Sequence, residues 1–106
     1  MSITDEELHA IKQKHFDLIE IETNAKQNYL ISKAEYEDEE KRQFLIASGN
    51  IEERKAIART HDKVRELKLK EIEDEVAYDN SKRQRVHYEM AKDIWQTECA
   101  NRRGIR

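Results

Sequence analysis

The chain has 106 residues, 41% of them charged and 37% hydrophobic, with a formal net charge of -3 and a mean hydropathy of -1.05. That length holds one domain, no apolar run approaches the ~20 residues that cross a bilayer, and a single cysteine, Cys99, excludes an internal disulfide. The sequence has no proline and only two glycines, so little interrupts a helix along most of it. Leu, Ile, Val and Phe are few, which is also how disordered chains look. The small net charge and the helical spacing of the apolar residues favour an ordered, all-α protein. An acidic N-terminus without a basic-then-apolar order, together with one cysteine, predicts a soluble protein of the reducing cytoplasm.

Thr4-Asp5-Glu6-Glu7 predicts a helix start, with Thr4 and Glu7 placed to bond each other's amides. Apolar residues then recur at Leu8, Ile11, Leu18, Ala25, Tyr29 and Tyr36, in steps of three, four or seven, with His15, Glu22 and Ser32 filling the gaps. This is a heptad-like seam with polar interruptions. Phe16, Ile19, Leu30 and Ile31 lie off it. The helix spans about 5–48 and ends at Ser48-Gly49-Asn50, where Gly49 can take a left-handed conformation. Asn50-Ile51-Glu52-Glu53 repeats the capping pattern and starts a second helix over about 51–101, followed by a short basic tail. A turn this short predicts a long antiparallel helical hairpin of coiled-coil type.

The second helix carries two apolar stripes. Val64, Leu67, Tyr78, Tyr88 and Trp95 form one; Leu69, Ile72, Val76, Val86, Met90 and Ile94 form the other. At ~100° per residue, Leu67 and Leu69 point to nearly opposite sides, so one partner helix cannot cover both. Two resolutions are open. Either the second stripe is the interface of a homo-oligomer, or the helix breaks near Asp79-Asn80-Ser81 and three segments pack together.

Charge is unevenly placed, with 13 Lys/Arg and 20 Asp/Glu in residues 1–81 against 7 and 3 in residues 82–106. Lys82, Arg83, Arg85, Arg102, Arg103 and Arg106 are therefore candidate contacts for nucleic acid or an acidic partner. Tyr88 and Trp95 lie between them, and an aromatic face can stack on unpaired bases. The same residues could instead solvate a helix face, with Trp95 in the core. Glu35-Tyr36-Glu37-Asp38-Glu39-Glu40 lacks the alternating ligands and glycine of a calcium loop and reads as a solvated or salt-bridged face. The histidines at 9, 15, 61 and 87 form no zinc-ligand spacing. His61-Asp62 has no nucleophile in its pattern, and Cys99 reads as an inert thiol. A binding protein is expected: no enzyme, no cofactor, no metal and no small-molecule substrate.

Asn50-Ile51-Glu52-Glu53-Arg54-Lys55-Ala56, followed by Tyr78, Lys82, Tyr88, Ala91, Trp95 and Arg102-Arg103, resembles small helical proteins encoded by tailed bacteriophages. The similarity covers roughly residues 25–103. The layout also looks like that of the oligomeric recombination mediators of T-even phages, which load a recombinase on single-stranded DNA. The resemblance implies a homo-oligomer in the host cell cytoplasm that contacts single-stranded DNA or a DNA-recombination protein, with roles for Trp95, Arg102 and Arg103. The acidic first half departs from that pattern, so only the basic end would suit DNA. Two other classes remain: an adaptor coiled coil without nucleic-acid binding, and an acidic DNA mimic that occupies a basic groove.

Overall fold

The computed structural model describes residues 4–104, and the side chains of residues 4–102. Among the described residues there are three helices and no strand: α1 (Asp5–Ile46), α2 (Ile51–Thr60) and α3 (Asp62–Gly104). α1 begins with the reciprocal cap that its sequence predicts. The Glu7 amide donates to Thr4 Oγ1 at 3.1 Å, and the Thr4 amide donates to a Glu7 carboxylate oxygen at 3.2 Å. Asp5, Glu6 and Glu7 place negative charge at the positive end of the helix.

α1 ends at Ile46, and Gly49 turns the chain with a φ of 115°. Asn50 then caps α2, accepting from the Glu53 amide at 2.9 Å. Arg54 closes the corner. Its guanidinium carbon lies 4.5 Å from the centre of the Phe44 ring, and it donates to the carbonyls of Phe44 (3.1 Å) and Leu45 (3.4 Å). Those carbonyls belong to the last turn of α1, where no helical donor reaches them and the local partial charge is negative.

The second helix departs from expectation. It stops at Thr60 and restarts at Asp62, with His61 in an extended conformation between them. His61 serves both helix ends: its amide donates to the Ala58 carbonyl at 3.4 Å, and its Nδ1 accepts from the Lys63 amide at 3.2 Å. The break has a packing reason. Ala58 and Val64 are each 1% exposed, yet six residues of unbroken helix would set them about 120° apart. α3 runs without interruption through Asp79, Asn80 and Ser81. A break there, one of the two resolutions left open by the sequence, is absent, and the interruption lies at His61.

Two compact units divide the chain, Ala25–Tyr78 and Met1–Asn24 with Asp79–Arg106. Within the first, α1 and α3 are matched by Tyr29 with Tyr78 (ring centres 6.2 Å apart), Ser32 with Asp74, Glu35 with Lys70 at 3.8 Å, and Glu39 with Lys63 at 3.8 Å. Numbers rise along α1 as they fall along α3, so the pair is an antiparallel hairpin. Within the second, the Tyr88 hydroxyl donates to the Ile11 carbonyl at 3.2 Å, and Glu22 meets Arg85, again antiparallel.

From Leu8 to Gln43, the α1 residues that follow each other by three and four are all buried or half-buried. The expected seam is therefore the packed face. Phe16, Ile19, Leu30 and Ile31 stand outside it, 42–63% exposed.

Gly49→Ala should destabilise the fold by about 1–3 kcal/mol, the strain of a side chain held at positive φ, where the new methyl would also meet the Glu53 carboxylate. A lower denaturant midpoint at unchanged slope would report it.

Candidate functional site

The inner face of α3 is read from its spacing. Tyr78, Ser81, Arg85 and Tyr88 follow each other by three and four, so they share one side of the helix and face α1. Arg85 is thereby turned inward. It binds both carboxylate oxygens of Glu22, and both of Glu89 at 3.0 and 3.2 Å. His15 Nε2 lies 2.8 Å from Glu89, and its ring stacks on Tyr88 with centres 6.4 Å apart. The hydrogen bonds that Arg85 donates to Glu22 and then to Glu89 raise its pKa. The bond to His15, then that to Arg85, holds Glu89 below its ordinary 4.5.

The other unit has a second polar seam. Ser32, 2% exposed, donates to Asp74. Glu39 is buried and accepts from Gln43 Nε2 at 2.8 Å, and this bond first, with Lys63 adding, keeps its pKa below 4.5. Glu71 is buried beside Lys68 at 3.2 Å, and the Lys68 ammonium lies 4.7 Å from the centre of the Tyr36 ring. A hydrogen bond to Glu40, reinforced by burial, pushes the Tyr36 hydroxyl up to about 12. Residues 35–40 thus divide between the seam (Tyr36 and Glu39), a salt-bridged edge (Glu35) and exposed positions (Glu37 and Asp38). No cluster of three or more His, Cys, Asp or Glu side chains is placed to hold a metal ion among the described residues.

The expected contact residues do not converge. Lys82, Arg83 and Arg102 are exposed, while Arg85 is half-buried and committed to its two carboxylates. Lys82 and Arg83 lie about 30 Å along α3 from Arg102, at ~1.5 Å per residue. Arg106 and the side chain of Arg103 lie outside the described residues. Trp95 is half-buried and lines an open groove of about 410 Å³ with Ile11, Tyr88 and Lys92. Cys99 is buried. The second stripe of α3 is uncovered: Leu69 62%, Ile72 45%, Val76 52%, Val86 40%, Met90 59% and Ile94 59% exposed. No helix among the described residues is long and apolar enough to cross a membrane.

No protein-family model, no curated protein and no solved structure matches the chain.

Two features escape an apolar-only reading of the sequence. Arg85 looks like one member of a basic cluster until Glu71, Asp74 and Ser81 are counted in the same three-four spacing as Val64 and Tyr88. His61-Asp62 reads as a pair without a nucleophile, whereas Thr60-His61-Asp62 is a helix stop and restart. For Arg85 the signal was the polar residues' own periodicity; the break at His61 follows from the packing of Ala58 and Val64.

The lowered carboxylates fix the acid response. A group whose folded pKa lies below its unfolded value contributes stability above the unfolded value and loses it as pH falls through the folded one. Glu39 and Glu89 should therefore leave stability intact above about pH 4.5 and erode it below, seen as a falling midpoint in pH-resolved thermal melts. Glu39→Gln with Glu89→Gln should flatten that dependence.

Tyr36 acts at the other extreme. Its raised pKa favours the protonated folded form, so stability should hold below about pH 10 and fall as pH rises toward 12. Phenolate absorbance should show one tyrosine ionising late, and Tyr36→Phe should remove that late step.

Proposed function

We propose that this chain is a non-enzymatic helical assembly module, which self-associates through the outer face of α3 and offers its basic end to a macromolecular partner. The observation that carries the reading is the six-residue apolar stripe of α3, 40–62% exposed, on the side opposite a seam filled with charged and hydroxyl groups. Apolar residues scattered singly on a surface need no explanation, but two apolar clusters, 69–76 and 86–94, aligned on one helix face favour a covering partner. Burial of that line would add the apolar contact that the inner seam, with Leu18, Ala58, Val64 and Cys99 as its buried apolar residues, supplies sparingly.

The exposed Lys82, Arg83 and Arg102 favour a second reading, in which the basic end contacts single-stranded DNA or a DNA-recombination protein. This is the role that the resemblance to phage recombination mediators implies, and it keeps self-association as its base.

Sedimentation tests the first reading. The wild-type protein should run as an oligomer, and Ile72→Asp with Val76→Asp should yield a helical monomer, because carboxylates buried without partners are costly. A wild-type chain that is monomeric at high concentration overturns it. For the second reading, binding to a single-stranded oligonucleotide should weaken steeply with salt, and Arg102→Ala with Arg103→Ala should flatten the salt slope by up to about two. Equal affinity of the wild type and the double variant at low salt would leave the assembly module without that contact.

A further inference from the structure

The outward positions of α3 have a symmetry that the apolar stripe alone hides. Taken in steps of three and four, the line reads Leu69, Ile72, Val76, Asp79, Arg83, Val86 and Met90. All seven are exposed. With Ile94 four residues beyond Met90, also exposed, the order is the same type from either end: three apolar residues and a charge, then a charge and three apolar residues, around a centre at Ser81. Asp79 and Arg83 stand two residues from that centre, Val76 and Val86 five, Ile72 and Met90 nine. The two central charges have opposite sign.

We infer that two copies of this chain pair antiparallel along the outer face of α3, about a two-fold axis at the level of Ser81, with Asp79 of each copy against Arg83 of the other. The inference rests on the self-association reading and adds the partner, the direction and the register. In an isologous contact, residue i meets j and j meets i. Here Val76 meets Val86 of the second copy, Ile72 meets Met90, and Leu69 and Ile94 close the two ends. Each of these contacts joins the 69–76 cluster of one copy to the 86–94 cluster of the other.

Charge decides the direction. A parallel pairing in register would set Asp79 against Asp79 and Arg83 against Arg83, and like charges at an interface oppose association. Reversal turns both into opposite-sign pairs at the middle of an otherwise apolar seam, where a polar layer specifies register. The outer face of α1 gives no equivalent match: from Phe16 and Ile19 the three-four line runs through Thr23 and Lys26 to Leu30 and then to Lys33 and Glu37, with no second apolar cluster.

Disulfide trapping tests the register. Val76→Cys and Val86→Cys are made separately, each with Cys99→Ala so that one thiol remains, and both positions are exposed. An oxidised equal mixture should give a covalent dimer containing one of each variant. Either variant alone should cross-link at least about tenfold more slowly, since equivalent positions lie about 15 Å apart along the antiparallel axis. Efficient self-linking of each variant would overturn the proposal in favour of a parallel pair. A protein that sediments as an oligomer yet traps no mixed dimer would overturn the register while self-association stands, and a monomeric wild type would overturn both. Charge exchange gives an independent readout. Asp79→Arg or Arg83→Asp should each weaken dimerisation about tenfold or more, and the double exchange should restore it; a double exchange no better than either single change would remove the cross-pair.

Discussion

The match of polar groups along the α1–α3 seam is the constraint on which the rest of this protein depends. Arg85 with Glu22, Ser32 with Asp74 and Glu39 with Lys63 each need one partner at one level. If α3 slipped by one heptad in one direction, Arg85 would face Tyr29 and Asp74 would face Glu39. In the other direction, Arg85 would face His15 and Asp74 would face Ala25. Either slip leaves charges unpaired or opposes like charges, which is far worse than the modest net gain of the native pairs. A purely apolar seam of Leu and Val would tolerate such a slip more easily. The seam therefore supplies register first and stability second.

That division of labour explains where the apolar residues go. Inner positions occupied by Glu, Asp, Ser and Arg are unavailable for hydrocarbon, so the large side chains cluster at the corner and on the outer faces. At the corner, Phe44 packs under Arg54 while Ala58 and Val64 are buried, and the helix breaks at His61 to bring both inward. On α3 the remaining apolar residues line the far side, where one chain alone leaves them in water. Register inside and an uncovered apolar face outside are two products of the same 3.6-residue repeat.

How much of this was legible in the sequence follows from the same physics. Local rules worked where local atoms decide: the Thr4–Glu7 cap, the Asn50 cap and the Gly49 turn involve neighbours within three residues, and each stands where its residues predict. The seam of α1 and both stripes of α3 were also readable, since periodicity is a property of one helix. The break was not. Asp79-Asn80-Ser81 is the poorer helix-forming run, yet α3 runs through it, and tertiary packing at Ala58 and Val64 sets the interruption at His61. Arg85 failed for a related reason. A basic cluster in sequence is a cluster in space only if its members share a face, and Arg85 is turned toward Glu22 while Lys82 and Arg83 are turned out.

The outward basic residues then carry competing demands. Lys82 and Arg102 have no place in the antiparallel line of α3, so their charge is compatible with both assembly and a nucleic-acid contact. Arg83 sits in that line. If it pairs with Asp79 of a second copy, its guanidinium is spent within the assembly, and a phosphate could claim it only by displacing the carboxylate. Assembly and polyanion binding would therefore be coupled negatively at this one residue, and by linkage each would weaken the other to the same extent. A chain that used both would do so from different copies or different ends, with Arg102 the contact that assembly leaves untouched.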